Sequence, residues 1–128
     1  MVSTTIEQSR NLSKLGLSAE TADMHYKETK LFGGNWILCP YGISYYYEHE
    51  LPTPAMYVPS WSLSALIDLL PNEIKVGVDK LCLMIDKYES DWYVRYLDKN
   101  GNGIGYRKQK LIDSVYNVIC YLIEEKLI

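Results

Sequence analysis

The second half of the chain, residues 60–128, has a hydrophobic pattern that predicts a helix, three strands, a short fourth strand and a closing helix. The first helix is predicted between Ser60 and Pro71, because apolar residues recur there at helical spacing and proline ends the pattern. Its apolar face consists of Leu63, Leu66, Ile67 and Leu70. This order of elements constrains the fold more than any other feature of the sequence.

Three strands are predicted over residues 74–77, 80–87 and 92–98, and a short edge strand is predicted over 104–108. Runs of strand-forming residues alternate there with short turns, such as the segment Lys99-Asn100-Gly101-Asn102-Gly103. The strands are therefore expected to pair in an antiparallel sheet.

The middle predicted strand is apolar at successive positions. Leu81, Leu83 and Ile85 lie on one face, and Cys82 and Met84 lie on the other. A strand that is apolar on both sides is typical of the centre of a sheet whose two faces are both covered.

The last helix is predicted over residues 110–126, with a broad apolar stripe that suits packing on a sheet. The predicted fold class is therefore α+β, with an antiparallel sheet of three to four strands packed by two helices. The order of the core is α-β-β-β-(β)-α, and it spans residues 60–128.

The first half of the chain predicts less regular structure. Residues 1–31 are read as a short helical pair, with a capping box at Thr4 and Glu7, a C-terminal cap at Gly16 and a second helix starting at Ser18. Residues 32–59 are rich in tyrosine and proline, and they predict a long irregular loop that wraps the core, with a short strand near residues 43–47. The whole chain, 1–128, is expected to form a single domain.

The bulk composition is that of an ordinary globular protein. The chain has 128 residues and is 48% hydrophobic. Its net charge of −3 gives no overall electrostatic attraction to nucleic acid or to an anionic membrane. No apolar run approaches the ~18 residues of a membrane span. The cysteines Cys39, Cys82 and Cys120 are widely spaced, and the N-terminus has no signal-peptide pattern, so a cytoplasmic location is expected.

None of the motifs that would indicate a catalytic or metal site is complete in this sequence. Residues 98–103 match the start of a calcium loop, but its last ligand position holds Gln109, and a hairpin turn explains the same residues. His25, Cys39 and the segment Glu48-His49-Glu50 have no metal-ligand spacing, and Gly42-Ile43-Ser44 lacks the closing glycine of a nucleophile elbow. The sequence predicts no enzyme, no metal and no cofactor.

Aromatic residues suggest the surface that would contact a partner. The chain has 12 Tyr and 3 Trp against a single Phe, and tyrosine and tryptophan are enriched in protein interfaces. The candidate contact residues are Trp36, Tyr41, Tyr45, Tyr46, Tyr47 and Trp61. They predict a non-catalytic protein-interaction module whose partner is another protein or a second copy of the chain.

The alternative is a nucleic-acid-binding protein or an antitoxin-like regulator, with Arg95, Arg107, Lys108 and Lys110 as contacts. The order α-β-β-β-α and the basic start of the last helix resemble double-stranded-RNA-binding domains. The loop at Val78 is too short for the minor-groove contact of that family. The predicted strand at 92–98 also resembles a strand of HicB-type antitoxins, although that family's proline-glycine turn is absent.

Two stretches are similar to segments of short, uncharacterised bacterial proteins that are often encoded in prophages or other mobile elements of gut anaerobes. They are residues 7–12 (EQSRNL) with 21–24 (TADM), and residues 59–66 (PSWSLSAL) running on to Leu70 and Pro71. The resemblance implies a complete bacterial protein. It implies no activity and supplies no functional residues.

Overall fold

The structure is a computed structural model that describes residues 2–29, 35–42 and 57–128. Its helices are α1 (Ile6–Lys14), α2 (Leu63–Leu69) and α3 (Leu111–Glu124). Its strands are β1 (Met24–Thr29), β2 (Asn35–Cys39), β3 (Tyr57–Ser60), β4 (Glu73–Val76), β5 (Asp79–Tyr88), β6 (Asp91–Leu97) and β7 (Gly103–Lys108). The predicted α+β class is confirmed.

The chain divides into two compact units, Met1–Ala65 and Leu66–Ile128. The first contains a three-stranded antiparallel sheet in the order β2-β1-β3, and the second contains a four-stranded antiparallel sheet in the order β4-β5-β6-β7. The expectation of a single domain over 1–128 stays a prediction.

The N-terminal helix begins one residue later than predicted. Thr5 is the N-cap of α1 and Gln8 completes the capping box, because the Gln8 N–H donates to Thr5 Oγ1 at 3.1 Å and the Thr5 N–H donates to Gln8 Oε1 at 3.0 Å. The predicted box at Thr4 and Glu7 is wrong. Thr4 is instead fully buried.

The predicted second helix is also wrong. Ser18 caps a single 3₁₀ turn, Ala19–Thr21, and the chain then enters β1. Two segments of the expected irregular loop pair with β1 as β2 and β3. The pairing of β1 with β3 joins residues 30 to 36 positions apart, so local pattern could not reveal it. The strand predicted near 43–47 lies outside the described residues.

The hydroxyl of Thr4 organises the buried polar groups of the first unit. Its Oγ1 accepts a hydrogen bond from the Trp61 N–H at 3.1 Å and lies 2.7 Å from Ser9 Oγ and 3.2 Å from Ser60 Oγ. The Tyr26 hydroxyl donates to the Thr4 carbonyl at 2.7 Å. These bonds let the polar groups lie inside the unit beside Trp61 without an unpaired donor there.

The second unit agrees closely with the sequence prediction. The four strands occur in chain order, as hairpins, and α3 packs against β6 and β7. Val94 and Tyr96 of β6 are fully buried on the face that meets α3. The Tyr96 hydroxyl donates to the Pro71 carbonyl at 2.6 Å, and Ser114 Oγ on α3 donates to the Trp92 carbonyl at 2.9 Å.

The prediction that both faces of the middle strand are covered is wrong. Leu81 of β5 is buried, but Cys82 is exposed and the Met84 side chain is 47% exposed. Cys82 and Met84 therefore lie on a face of the sheet that is open to solvent.

Candidate functional site

The candidate site is the face of the four-stranded sheet that points away from Val94 and Tyr96, which we call the outer face. Side chains alternate between the two faces of a strand. The register pairs Cys82 with Leu97 and Met84 with Arg95, so these side chains share the outer face. Further members are Lys80, Asp86 and Tyr88 of β5, Asp91 and Tyr93 of β6, and Gly103, Gly105 and Arg107 of β7.

A hollow of about 720 Å³ lies at one end of the outer face. Cys82, Met84 and Leu97 line it, and the turns that follow β4 and β6 form its walls. Val78, at the tip of the first turn, is fully exposed to solvent (101%). The hollow therefore combines apolar side chains with open access.

Both turns are built by residues with special backbone preferences. Gly77 has φ +64° and Gly101 has φ +82°, in the left-handed region that favours glycine. Asp98 Oδ1 accepts hydrogen bonds from the N–H groups of Asn100 at 2.8 Å and Asn102 at 3.0 Å. The calcium-like motif is thus a hairpin turn whose aspartate accepts hydrogen bonds from backbone N–H groups of the same turn.

At the other end of the outer face, two arginines flank Tyr93. The guanidinium carbon of Arg95 lies 5.2 Å from the ring centroid, and that of Arg107 lies 5.9 Å from it. Arg107 Nη1 also donates to the Tyr93 hydroxyl at 3.2 Å. We call Tyr93, Arg95 and Arg107 the arginine–tyrosine cluster.

Carboxylates balance the charge of this cluster. Arg95 Nη2 lies 3.0 Å from both oxygens of Asp86, and Arg107 Nε lies 3.0 Å from Asp91 Oδ2. The hydrogen bond to Tyr93 and the neighbouring Asp91 raise the pKa of Arg107 above its ordinary value. Each guanidinium group therefore already has a carboxylate partner.

The structure separates the basic residues predicted from sequence. Arg95 and Arg107 share the outer face, whereas Lys108 follows Arg107 and points to the opposite face. Lys110 precedes α3 as its N-cap residue. The four residues do not form one continuous basic surface.

The aromatic candidates also separate. Trp61 is fully buried, and its Nε1 donates to Thr21 Oγ1 at 2.9 Å, so it belongs to the core and is withdrawn as a contact residue. Trp36 is half-buried with the Arg10 guanidinium carbon 5.3 Å from its ring centroid, and Tyr41 is 37% exposed. Tyr45, Tyr46 and Tyr47 lie outside the described residues.

His25 is a titratable group that is buried in the first unit. Its Nδ1 lies 2.6 Å from the Tyr41 carbonyl oxygen, and its ring meets the rings of Tyr41 and Tyr57 edge to face. Burial lowers the pKa of His25. It pairs with Cys39 across β1 and β2, but within the described ranges no three metal-ligating side chains cluster together.

Sequence reasoning missed the outer face because cysteine and methionine in β5 suggested a buried surface. A charged residue, Arg95, occurs in the middle of a central strand, and that was the available signal of an open face. Alternating glycines at positions 103 and 105 were a second signal, since they leave room for long side chains on the neighbouring strand.

Comparison of the chain with protein-family models, curated proteins and solved structures found no significant match. Among the described residues, none of the helices has the length and apolar character needed to cross a membrane.

Proposed function

We propose that the protein is a non-catalytic interaction module that contacts a protein partner through the outer face of its four-stranded sheet. The sequence resemblance suggests a bacterial mobile element as the setting. The outer face is the leading contact surface in this proposal, because exposed apolar side chains surround a hollow on it.

The observation that carries the proposal is the group of apolar side chains, Val78, Cys82, Met84 and Leu97, around a hollow whose remaining lining is mostly polar and charged. Single exposed apolar side chains are normal on a protein surface, but a group of them around one concave site is a feature of interaction sites. Met84 is 47% exposed, and it adjoins the exposed Cys82 and Val78 around the hollow. Contact with a partner would remove this apolar surface from water.

The arrangement of charges gives less support to nucleic-acid binding. A phosphate backbone is bound by cationic groups that release its counterions. Here Arg95 and Arg107 are each paired with a carboxylate, and their guanidinium groups already lie against Tyr93. A single-stranded partner that stacked a base on Tyr93 would have to displace them.

Two equally exposed apolar residues provide the test. Met84 is 47% exposed in the hollow, and Ile128 is 46% exposed at the C-terminus. Affinity capture from cells of the source organism, together with light scattering of the pure protein, is carried out with wild type, Met84→Asp and Ile128→Asp. We expect Met84→Asp to lose a partner or a self-association that Ile128→Asp retains.

The proposal is contradicted by a strict monomer that recovers no partner. Retention of the same partner by Met84→Asp and Ile128→Asp would also contradict it, because the contact would then lie elsewhere. Circular dichroism of both variants confirms that each is folded before the comparison is made.

A further inference from the structure

The backbone groups of β7 alternate in direction, and a hydrogen bond in the turn before the strand sets the alternation. The Asp98 N–H donates to the Asn102 carbonyl at 2.8 Å, so these residues form a hydrogen-bonded pair. Hydrogen-bonded and non-hydrogen-bonded pairs alternate along an antiparallel ladder. Counted along the register from this pair, the N–H and C=O groups of Gly103, Gly105 and Arg107 point away from β6.

The hairpin between β5 and β6 gives the same result independently. Tyr88 pairs with Asp91 across a two-residue turn, and the pair that closes such a turn is hydrogen-bonded. The backbone groups of Asp91, Tyr93 and Arg95 then point to β5. The backbone groups of Trp92, Val94 and Tyr96 point to β7. Their partners there are Lys108, Tyr106 and Ile104, in that order.

The outward groups of β7 form a free edge. In the described part of the chain this strand pairs with β6 alone, and all of its residues except Ile104 are exposed. It contains no proline and pairs without a bulge over its six residues. An edge with a row of unpaired N–H and C=O groups is a template for an added strand.

Side chains at this edge define the chemistry of such a strand. On the outer face, Gly103 and Gly105 bring no side chain to the edge. Arg107 and Lys108 lie at its C-terminal end on opposite faces, and Lys110 follows two residues later as the N-cap of α3. Among the described residues Arg107 bonds Asp91 at 3.0 Å, and neither Lys108 nor Lys110 forms an ion pair. A neighbouring strand with carboxylates at this end would neutralise the lysines.

A second copy of β7 fits this edge poorly. The strand Gly103–Lys108 contains two cations and no carboxylate. Antiparallel pairing of two such strands would place glycine and isoleucine near the basic end of the partner copy, so Lys108 would stay unpaired. Charge complementarity therefore favours a different polypeptide.

We infer that the free edge of β7 binds an extended acidic segment of a partner protein as an antiparallel strand, with the acidic residues toward the N-terminal end of that segment. This deepens the proposed function and rests on it. Backbone hydrogen bonds to Gly103, Gly105 and Arg107 hold the segment, and Lys108 and Lys110 select its charge.

The probe is a short synthetic peptide that alternates valine and threonine after an N-terminal run of glutamates. Amide hydrogen exchange followed by NMR is measured on the full chain with and without this peptide. We expect slower exchange at Gly103, Gly105 and Arg107, with little change at Ile104 and Tyr106, whose amides are already bonded to β6. A peptide with lysines in place of the glutamates is the matched control and is expected not to bind.

A pair of variants separates the backbone contribution from the charge. Arg107→Ala and Arg107→Pro both remove the guanidinium, but only proline also removes the outward N–H, and no β6–β7 hydrogen bond depends on that group. We expect Arg107→Pro to bind the acidic peptide about tenfold more weakly than Arg107→Ala, as one lost hydrogen bond implies. Lys108→Glu is expected to weaken binding of the acidic peptide and to allow binding of the lysine peptide.

Three outcomes overturn the inference: unchanged exchange at the three outward amides with the acidic peptide, equal binding of the lysine peptide, or protection of the same amides by dimerisation without peptide. The hydrogen-exchange result on the wild-type chain holds even if a variant fails to fold. If a partner is lost in Met84→Asp while the edge amides stay unprotected, the interaction function stands and only the strand mode fails.

Discussion

The side chain of Arg95 occupies the space where a Cβ atom of Gly105 would lie. The two residues are direct partners across β6 and β7, and a Cβ atom added at position 105 would overlap Arg95 Cγ. From this position the Arg95 guanidinium reaches Asp86 at 3.0 Å and lies against the Tyr93 ring. The missing side chain at Gly105 therefore makes the arginine–tyrosine cluster possible.

Gly105→Ala is expected to lower the free energy of unfolding by about 1–3 kcal/mol, the usual cost of overpacking. Most of this loss should vanish in an Arg95→Ala background, because truncation removes the overlapping Cγ. The remaining neighbours, Arg95 Cβ and the Val94 carbonyl oxygen at 3.0 Å, need to move only slightly. Chemical denaturation of the two single variants and the double variant measures the coupling.

Gly103→Ala is the matched control for this cycle. A Cβ atom at Gly103 would overlap the backbone carbonyl of Tyr96 instead of a side chain. Its cost should exceed that of Gly105→Ala, and Arg95→Ala should not relieve it. An equal cost of Gly105→Ala in both backgrounds would show that Arg95 does not cause the restriction.

The difference between the two halves of the chain shows what local sequence can predict. Hairpins β4 to β7 are joined by short turns with characteristic residues such as Gly77, Asp98 and Gly101, so neighbours in sequence are neighbours in the sheet. Strand β1 pairs with β3, whose residues lie 30 or more positions away, as His25 and Pro59 do. No local pattern near Met24 reveals such a pairing.

The candidate site was only partly predictable for a related reason. Arg95 and Arg107 were singled out from sequence as basic residues, but their common neighbour Tyr93 depends on the register of three strands. The residue type of Trp61 predicts a contact surface, whereas the structure buries it. Its burial depends on the distant polar partners Thr4 and Thr21.

Thr4→Val is expected to destabilise the protein by about 1–3 kcal/mol, although the shape of the side chain is nearly preserved. The valine cannot accept the hydrogen bond from the buried Trp61 N–H or pair with Ser9 Oγ. Thr4→Ser keeps the hydroxyl and loses one methyl group, which costs about 0.8 kcal/mol. Thermal and urea unfolding of both variants provide the comparison, and a smaller loss for valine than for serine would contradict this role of the hydroxyl.

Alkaline pH is expected to destabilise the second unit through Tyr96. Burial raises the pKa of Tyr96 to about 12, from an ordinary value of 10.0. The unfolded chain therefore loses this proton first, and stability should fall as the pH rises from 10.0 to about 12. Unfolding free energies measured across this range should decline less steeply in Tyr96→Phe, which also lacks the hydrogen bond to Pro71.

Tyr88→Phe alters an exposed tyrosine and should keep the wild-type slope. An unchanged slope in Tyr96→Phe would exclude Tyr96 as the cause.

Mild acid is expected to destabilise the first unit through His25. The 2.6 Å contact from Nδ1 to the Tyr41 carbonyl requires a proton on Nδ1, and burial lowers the pKa of His25 below 6.5 by disfavouring the second proton. The unfolded chain therefore binds more protons below pH 6.5. The contribution of His25 to the free energy of unfolding should be fully present above that pH and should fall as the pH decreases through the lowered pKa. Urea unfolding at a series of pH values, with an NMR titration of the imidazole C–H signals, measures both quantities. The component of the slope that begins near pH 6.5 should disappear in His25→Asn and persist in His49→Asn, which alters the other histidine of the chain. Loss of that component only in His49→Asn would show that His25 is not the group responsible.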